Sequence, residues 1–398
     1  MNVILFLEHK FYFDENEKIL YSQKVINDKI LSRYTEVFGK VIICARKMNS
    51  KDSSAIKIEN KNVSLLGLPD FSFKRLIKNH KQIEKFILDN SKECSGFIIR
   101  APSTISFLAY NVVKKLHKPI MTEMVINPNH FFLSSENDSA IRKFINWACR
   151  QYSILHTKRL CKKSNAVLYV TKEYLQQSYK SYDMLKGEDK NHFSVACSDV
   201  ILEKRHFNSI PSIHEASECF SICHMGWMSG YNKGHIIVLD ILKRLLDNGY
   251  NCNCFFIGDG LMKENFVDYA AKLGIADNVH FIGQLNSFDE IQAVFSKSHL
   301  FLFPSVNEGL PRVLIEAMAN SLPCIAYRTD GIPELIEADY LAEIGDTEKL
   351  YNLVIELYED ESRRKKVSAD NYMKAREYED SVLNPIRQNF YRRFKTLF

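Results

Sequence analysis

The stretch Leu300-Phe301-Leu302-Phe303-Pro304-Ser305-Val306-Asn307-Glu308-Gly309-Leu310-Pro311-Arg312-Val313-Leu314-Ile315-Glu316-Ala317-Met318-Ala319-Asn320 reads as a strand, a loop and a helix in succession. Four consecutive apolar residues closed by proline suit a strand that helices cover on both faces. Pro311 suits the first position of a helix, where no N–H is required, and the predicted helix runs from Pro311 to Asn320. The unpaired N–H groups of its first turn then face the end of the strand and favour an anion. Glu308 in the loop and Glu316 in the helix place two carboxylates beside that position. Carboxylates do not hold phosphate, but they accept hydrogen bonds from sugar hydroxyls. The plainer reading of the same glutamates is the polar side of an amphipathic surface helix.

Outward from this stretch the pattern repeats. Strands are predicted at Phe220–Gly226, Cys252–Gly258, Val279–Gly283, Leu300–Pro304 and Cys324–Tyr327. They alternate with helices at Gly234–Asp247, Leu261–Leu273, Phe288–Ser296 and Pro311–Asn320. Such alternation means βα units and a parallel sheet, with ligands gathered outside the carboxyl ends of the strands. The first half repeats the scheme less clearly. Its strands are Val3–Leu7, Val41–Ala45, Phe97–Arg100, Pro119–Glu123 and Ala166–Val170. Its helices are Lys74–Asp89, Ser106–Leu116, Ile141–Cys161 and Lys172–Tyr179. The expected fold class is α/β, with two Rossmann-like α/β domains whose parallel sheets face a central cleft. The expected division is 1–203 for the first domain, 204–218 for a linker and 219–380 for the second domain. A last helical segment spans 381–398, with Pro385 starting or kinking it.

Composition narrows the function classes. The 398 residues are 46% hydrophobic and 25% charged, so disorder is excluded as the main state. No run of 18 apolar residues occurs, and Val3–Leu7 is too short for a secretory signal, so a cytoplasmic location is expected. The ten cysteines form no CxxC pair and read as reduced, buried thiols. No Asp-x-Asp occurs and the histidines lack paired ligand spacing, so no metal site and no cofactor is expected. No GxGxxG follows a strand, which argues against a nicotinamide dehydrogenase. Charge is uneven: residues 1–200 carry 32 Lys+Arg against 20 Asp+Glu, and the remainder carries 21 against 28. A basic first half suits an anionic partner.

A second loop joins the first. Gly226-Trp227-Met228-Ser229-Gly230-Tyr231-Asn232-Lys233-Gly234 also lies between a strand and a helix. Small residues let backbone N–H groups approach an anion, and Lys233 adds a point charge. The spacing fits neither a P-loop nor GxGxxG, and a lysine before a helix is usually just solvated.

Together the two loops resemble the retaining GT-B glycosyltransferases of family four. The resemblance extends through Phe256-Ile257-Gly258-Asp259-Gly260, Val279-His280-Phe281-Ile282-Gly283 and Gly331-Ile332-Pro333-Glu334-Leu335-Ile336, covering about residues 219–360. It implies a nucleotide-sugar donor held by the second domain. By position, Glu316 is implied to bind the ribose, and Glu308 with the Gly309 and Leu310 backbone the donor sugar. Lys233 and Gly226 are implied to meet the diphosphate. Lys233 would then stabilise the leaving group. The resemblance also implies retention by same-face attack without a protein nucleophile, so Glu308 is not expected to form a covalent intermediate. It further implies that the last helix returns to the first domain.

The sequence departs from that family in two places. Trp227 stands where an arginine often follows the glycine of the loop. Glu8-His9-Lys10-Phe11-Tyr12 stands where a glycine pair often follows the first strand. His9 is either a ligand contact or a satisfied strand-end histidine. Arg100 and Glu123 end neighbouring first-domain strands and are expected at the cleft. There Glu123 would orient or deprotonate an acceptor hydroxyl, unless the two only neutralise each other.

Residues 141–163 carry seven Lys and Arg and no acid, interleaved with Phe144, Trp147, Tyr152, Ile154 and Leu155. This suits either contact with an anionic membrane or a solvated helix with one core face. Nucleic acid is not expected, since no binding motif accompanies the charge. The expected activity is transfer of a sugar from a nucleotide sugar to a sugar acceptor, lipid-linked at the inner face of the membrane, in bacterial surface polysaccharide assembly. Alternatives are an epimerase or phosphorylase on the same scaffold, or a non-catalytic nucleotide-sugar-binding protein.

Overall fold

The structure is a computed structural model and describes residues 2–22, 26–51, 55–69, 73–134, 138–207, 219–285 and 287–398, apart from the side chains of residues 73–78. The chain forms two compact units. One comprises Met1–Cys197 with Pro385–Phe398, and the other Ser198–Asn384.

In the first unit the elements are β1 (Asn2–Asp14), β2 (Ile19–Ser22), α1 (Asp28–Phe38), β3 (Lys40–Lys47), β4 (Ile56–Ile58), β5 (Val63–Pro69) and α2 (Phe73–Ser91). They continue with β6 (Gly96–Ala101), α3 (Thr104–Val113), β7 (Ile120–Met124), α4 (Ala140–Lys163), β8 (Ala166–Tyr169), α5 (Tyr174–Ser178), α6 (Tyr182–Lys186) and β9 (Phe193–Ala196). The parallel part of the sheet has the order β5-β3-β1-β6-β7-β8-β9. Its strands are apolar on both faces; Val3, Ile4, Phe6, Phe97, Ile98 and Ile99 are fully buried.

β1 runs further than the sequence suggests. Past Leu7 it continues to Asp14, and Phe11–Asp14 pairs antiparallel with β2, which in turn pairs with β4. Phe11 is fully buried within it, which secures the extension. Glu8 accepts a hydrogen bond from the Ile105 N–H at 3.1 Å near the start of α3 and pairs with Arg46 at 2.5 Å. The segment that departs from the family pattern is therefore strand and not an open turn.

The second unit contains β10 (Phe220–Met225), α7 (His235–Asp247), β11 (Cys252–Ile257), α8 (Lys263–Lys272), β12 (Val279–Gly283), α9 (Phe288–Phe295) and β13 (Leu300–Phe303). It continues with α10 (Arg312–Ala319), β14 (Cys324–Tyr327), β15 (Leu341–Ala342), α11 (Thr347–Glu359) and α12 (Glu361–Arg376). All its strands are parallel, in the order β12-β11-β10-β13-β14-β15. A single core binds the helices to it, including Ile222, Val238, Leu242, Phe256, Leu302 and Leu350. α13 (Asp380–Lys395) passes from the second unit into the first and contains Pro385.

Of the expected linker, residues 208–218 lie outside the described residues. Residues 204–207 pack within the second unit: His206 stacks on Phe288 at 4.0 Å and Phe207 meets Tyr372 edge-on at 5.9 Å. The described cysteines are mostly buried, and burial pushes the Cys161, Cys223 and Cys252 thiols up to about 12.

Candidate active site

Two loops of the second unit meet at the carboxyl ends of β10 and β13. Asn232 of the first accepts a hydrogen bond from the Val306 N–H of the second at 2.9 Å. Gly234 lies at φ +81°, and a Cβ there would stand 2.3 Å from the Pro304 carbonyl oxygen. Only glycine lets the backbones approach so closely. The contact sets Lys233 against the loop after β13. Its ammonium donates to Glu308 Oε1 at 2.6 Å, across 75 residues of sequence. Both side chains keep some contact with solvent, 22% for Lys233 and 11% for Glu308.

Glu308 is held from three sides. The buried Ser305 hydroxyl donates to the same Oε1 at 2.6 Å. The Glu308 N–H donates to Asp330 Oδ2 at 3.0 Å. One residue on, Gly309 accepts from the Gly331 N–H at 3.0 Å, so the Gly331–Ile336 segment supports the loop from behind. Asp330 has φ +48°, a conformation that few residues other than glycine adopt and that short polar side chains tolerate best. Ser305 and Asp330 were not singled out in the sequence. The available signals were a serine after the strand-ending proline and an acid preceding Gly331-Ile332-Pro333-Glu334.

α10 begins one residue later than expected, with Pro311 as its cap. Pro311 has no polar side chain, so the first-turn N–H groups of α10 have no side-chain cap. Leu310 is buried before it. Glu316 is partly buried on α10; burial raises its carboxyl pKa while Arg312, one turn earlier, pulls the other way.

The loop after β10 is stapled to the one after β11. The Gly226 N–H donates to Ile257 O and the Met228 N–H to Asp259 O, each at 2.9 Å. Gly258 has φ +140°, and a Cβ there would lie 2.0 Å from Gly226 O, which explains glycine at this strand end. Trp227, in the place of the frequent arginine, is 51% exposed. Beneath the loop, His224 donates from Nδ1 to Leu302 O at 2.9 Å and lies edge-on to His235 at 4.6 Å. Burial holds both rings neutral, His224 well below the ordinary range and His235 at about 4. Lys233 is thus the cation of this loop. Among the described residues no cluster of three His, Cys, Asp or Glu could hold a metal ion.

The first unit treats its strand-end residues differently. Arg100 does pair with Glu123, at 3.0 Å. The Glu123 carboxylate also accepts from Tyr34 at 2.7 Å and from Tyr391 at 2.5 Å, and its side chain is 1% exposed. An acceptor hydroxyl has no access to a carboxylate so enclosed. The expectation that Glu123 works as a base at the acceptor is therefore corrected: it is the hub of a buried network, and Arg100 belongs to that network. His9 is likewise engaged inside the unit, Nε2 lying 3.1 Å from Ser22 Oγ and the ring edge-on to Phe11.

Known proteins resemble the chain in sequence and in fold. Residues 221–374 match the family model described as Glycosyl transferases group 1. Protein CapJ of Staphylococcus aureus is 28% identical over 328 residues, covering 82% of this chain and 79% of that protein. The amylovoran biosynthesis glycosyltransferase AmsK of Erwinia amylovora is 27% identical over 169 residues, 40% of each chain. The solved structure of Anabaena Alr3699/HepE in complex with UDP and glucose superposes with a TM-score of 0.64 at 13% identity, covering 96% of this chain and 97% of that one. The loop pair thus lies within the segment that matches the group 1 glycosyltransferase model, and the chain has the GT-B fold.

Proposed function

We propose that the chain transfers a sugar from a nucleotide-sugar donor, with retention at the anomeric carbon, to a lipid-linked sugar acceptor during assembly of a bacterial surface polysaccharide. The observation that carries the donor side is the Lys233–Glu308 pair on two interlocked loops, next to the uncapped start of α10. The diphosphate takes the place beside Lys233 and the α10 amides, where an ammonium and a helix start both favour negative charge. Glu308 then accepts from donor-sugar hydroxyls and Glu316 from the ribose. As the glycosidic bond breaks, charge grows on the leaving diphosphate, and Lys233 meets it without a metal ion. Ser305 and Asp330 keep the Glu308 carboxylate and peptide fixed, so little reorganisation accompanies that change. HepE, solved with UDP and glucose, supports the donor class, and AmsK supports the polysaccharide setting.

The test is a panel of nucleotide sugars scored by release of the nucleoside diphosphate, with and without a chelator. The expected result is release from one donor, insensitive to the chelator and lost in Lys233→Ala. Equal turnover in Lys233→Ala and the parent would overturn the assignment, and a chelator-sensitive reaction would overturn its metal-free form.

A further inference from the structure

Donor chemistry leaves one feature of the first unit unused. α2, α3 and α4 enclose a half-open cavity of about 490 Å³. Its apolar walls include Phe107, Leu108, Phe132, Ala148, Cys149 and Tyr152. Phe132 is held at φ +54°, a conformation bulky side chains rarely adopt. The α4 residues that wall the cavity continue into a bare apolar surface. Ile141 is 75% exposed, Phe144 66% and Leu155 65%; Ile145, Trp147 and Tyr152 are about half exposed. Ile141, Phe144, Ile145, Ala148, Tyr152 and Leu155 fall on one side of α4 by helical spacing, and Arg159 and Lys162 extend the same side. Exposed apolar area of this extent marks a contact surface.

The charge of α4 selects the partner. Its seven Lys and Arg are accompanied by no acid, and Lys158, Lys162 and Lys163 are exposed. Two copies meeting through α4 would set like charges against each other. An anionic surface with an apolar interior satisfies both the basic and the apolar residues. We propose that the exposed side of α4 docks on a bilayer containing anionic phospholipid, and that one acyl chain of that lipid enters the cavity between α2, α3 and α4. The proposal supports the lipid-linked acceptor reading in its use, but its evidence is independent of the donor site.

The test uses the full chain without donor. Flotation with phosphatidylcholine vesicles, with or without phosphatidylglycerol, is expected to show at least about tenfold tighter binding to the anionic vesicles. Phe144→Ser with Leu155→Ser, at exposed positions, should remove that binding. Trp147, stacked on Phe144 and one residue before the cavity-lining Ala148 and Cys149, reports on entry from outside: in a Trp227→Phe background its emission should shift to the blue and saturate with monomeric dodecyl phosphate. Ala148→Phe, or Asn111→Phe on the facing wall, should abolish the shift while circular dichroism stays unchanged. Absence of vesicle binding, equal binding to neutral vesicles, or a dodecyl phosphate response surviving in both filled variants would overturn the proposal. So would a dimer in sedimentation equilibrium that Phe144→Ser with Leu155→Ser dissolves. Nucleoside diphosphate release in lipid-free buffer scores the donor site separately, so failure of one reading leaves the other visible.

Discussion

Both units place a cation and a glutamate at the carboxyl ends of parallel strands, yet the two pairs have opposite fates. Lys233–Glu308 sits on loops whose backbones brace each other, and both side chains retain solvent contact. Arg100–Glu123 sits under two tyrosines that close over the carboxylate. The same residue types at the same kind of position therefore do not define a site. What decides is whether the remaining hydrogen-bonding capacity of the carboxylate is left for a ligand or consumed by the protein.

The largest effect that would break this comparison is catalytic. Lys233→Ala is expected to lower donor turnover about 100- to 1000-fold, the loss typical of removing one stabiliser of a developing negative charge. The thermal midpoint should barely move, since the pair is partly exposed. In the first unit the expectation is inverted. Glu123→Ala removes the acceptor shared by Arg100 and two tyrosine hydroxyls in a closed site and should cost about 3 kcal/mol in urea unfolding. Turnover per folded molecule should persist; a catalytic loss as large as that of Lys233→Ala would restore Glu123 to the reaction.

Gly234→Ala sharpens the role of the braced backbones. Its Cβ cannot fit beside Pro304 O, so the loops must part, costing about 1–3 kcal/mol and weakening turnover together. Calorimetry beside the turnover assay separates the two losses.

Acid should act on both units through buried histidines. His156 in the first and His235 in the second are lowered by burial from 6.5 to about 4. As pH falls between those values the unfolded chain takes up protons that the native state refuses. Stability is therefore complete above about 6.5 and drains toward pH 4, by about 1–3 kcal/mol for each histidine. His235→Phe should flatten this slope in the second unit, as measured by unfolding at stepped pH.

The smallest effect concerns Glu316, whose carboxyl is raised by burial. With the ribose hydroxyls bound there as proposed, its charged form is favoured, so nucleotide binding should release protons, seen as a buffer-dependent heat in titration calorimetry. Glu316→Gln should abolish that release.

The second unit was legible in the sequence because its information is local. Apolar runs, glycines and prolines mark the strand ends up to Tyr327, and there the expected elements depart from the observed ones by one or two residues, whereas β15, α11 and α12 beyond it were not anticipated. Even the meeting of Lys233 with Glu308 followed from both lying at strand ends of one sheet. Ser305 and Asp330 escaped notice because a hydroxyl and a left-handed aspartate carry no spacing signature. In the first unit the decisive contacts are distant. Tyr391 reaches Glu123 across 268 residues, and no periodicity in either segment announces the other. The β1 extension was missed because four of the seven residues Glu8–Asp14 are polar or charged and no alternation marks a strand, whereas burial of Phe11 between β2 and β3 outweighs that weak pattern.

The return of α13 to the first unit has a consequence for biosynthesis. Tyr391, which shares in shielding Glu123, leaves the ribosome only after the entire second unit. At about 5–20 residues per second, the carboxylate waits on the order of ten seconds to a minute for this donor. During that interval the nascent first unit must tolerate a half-satisfied acid in its interior, and it completes its own folding last although it is made first.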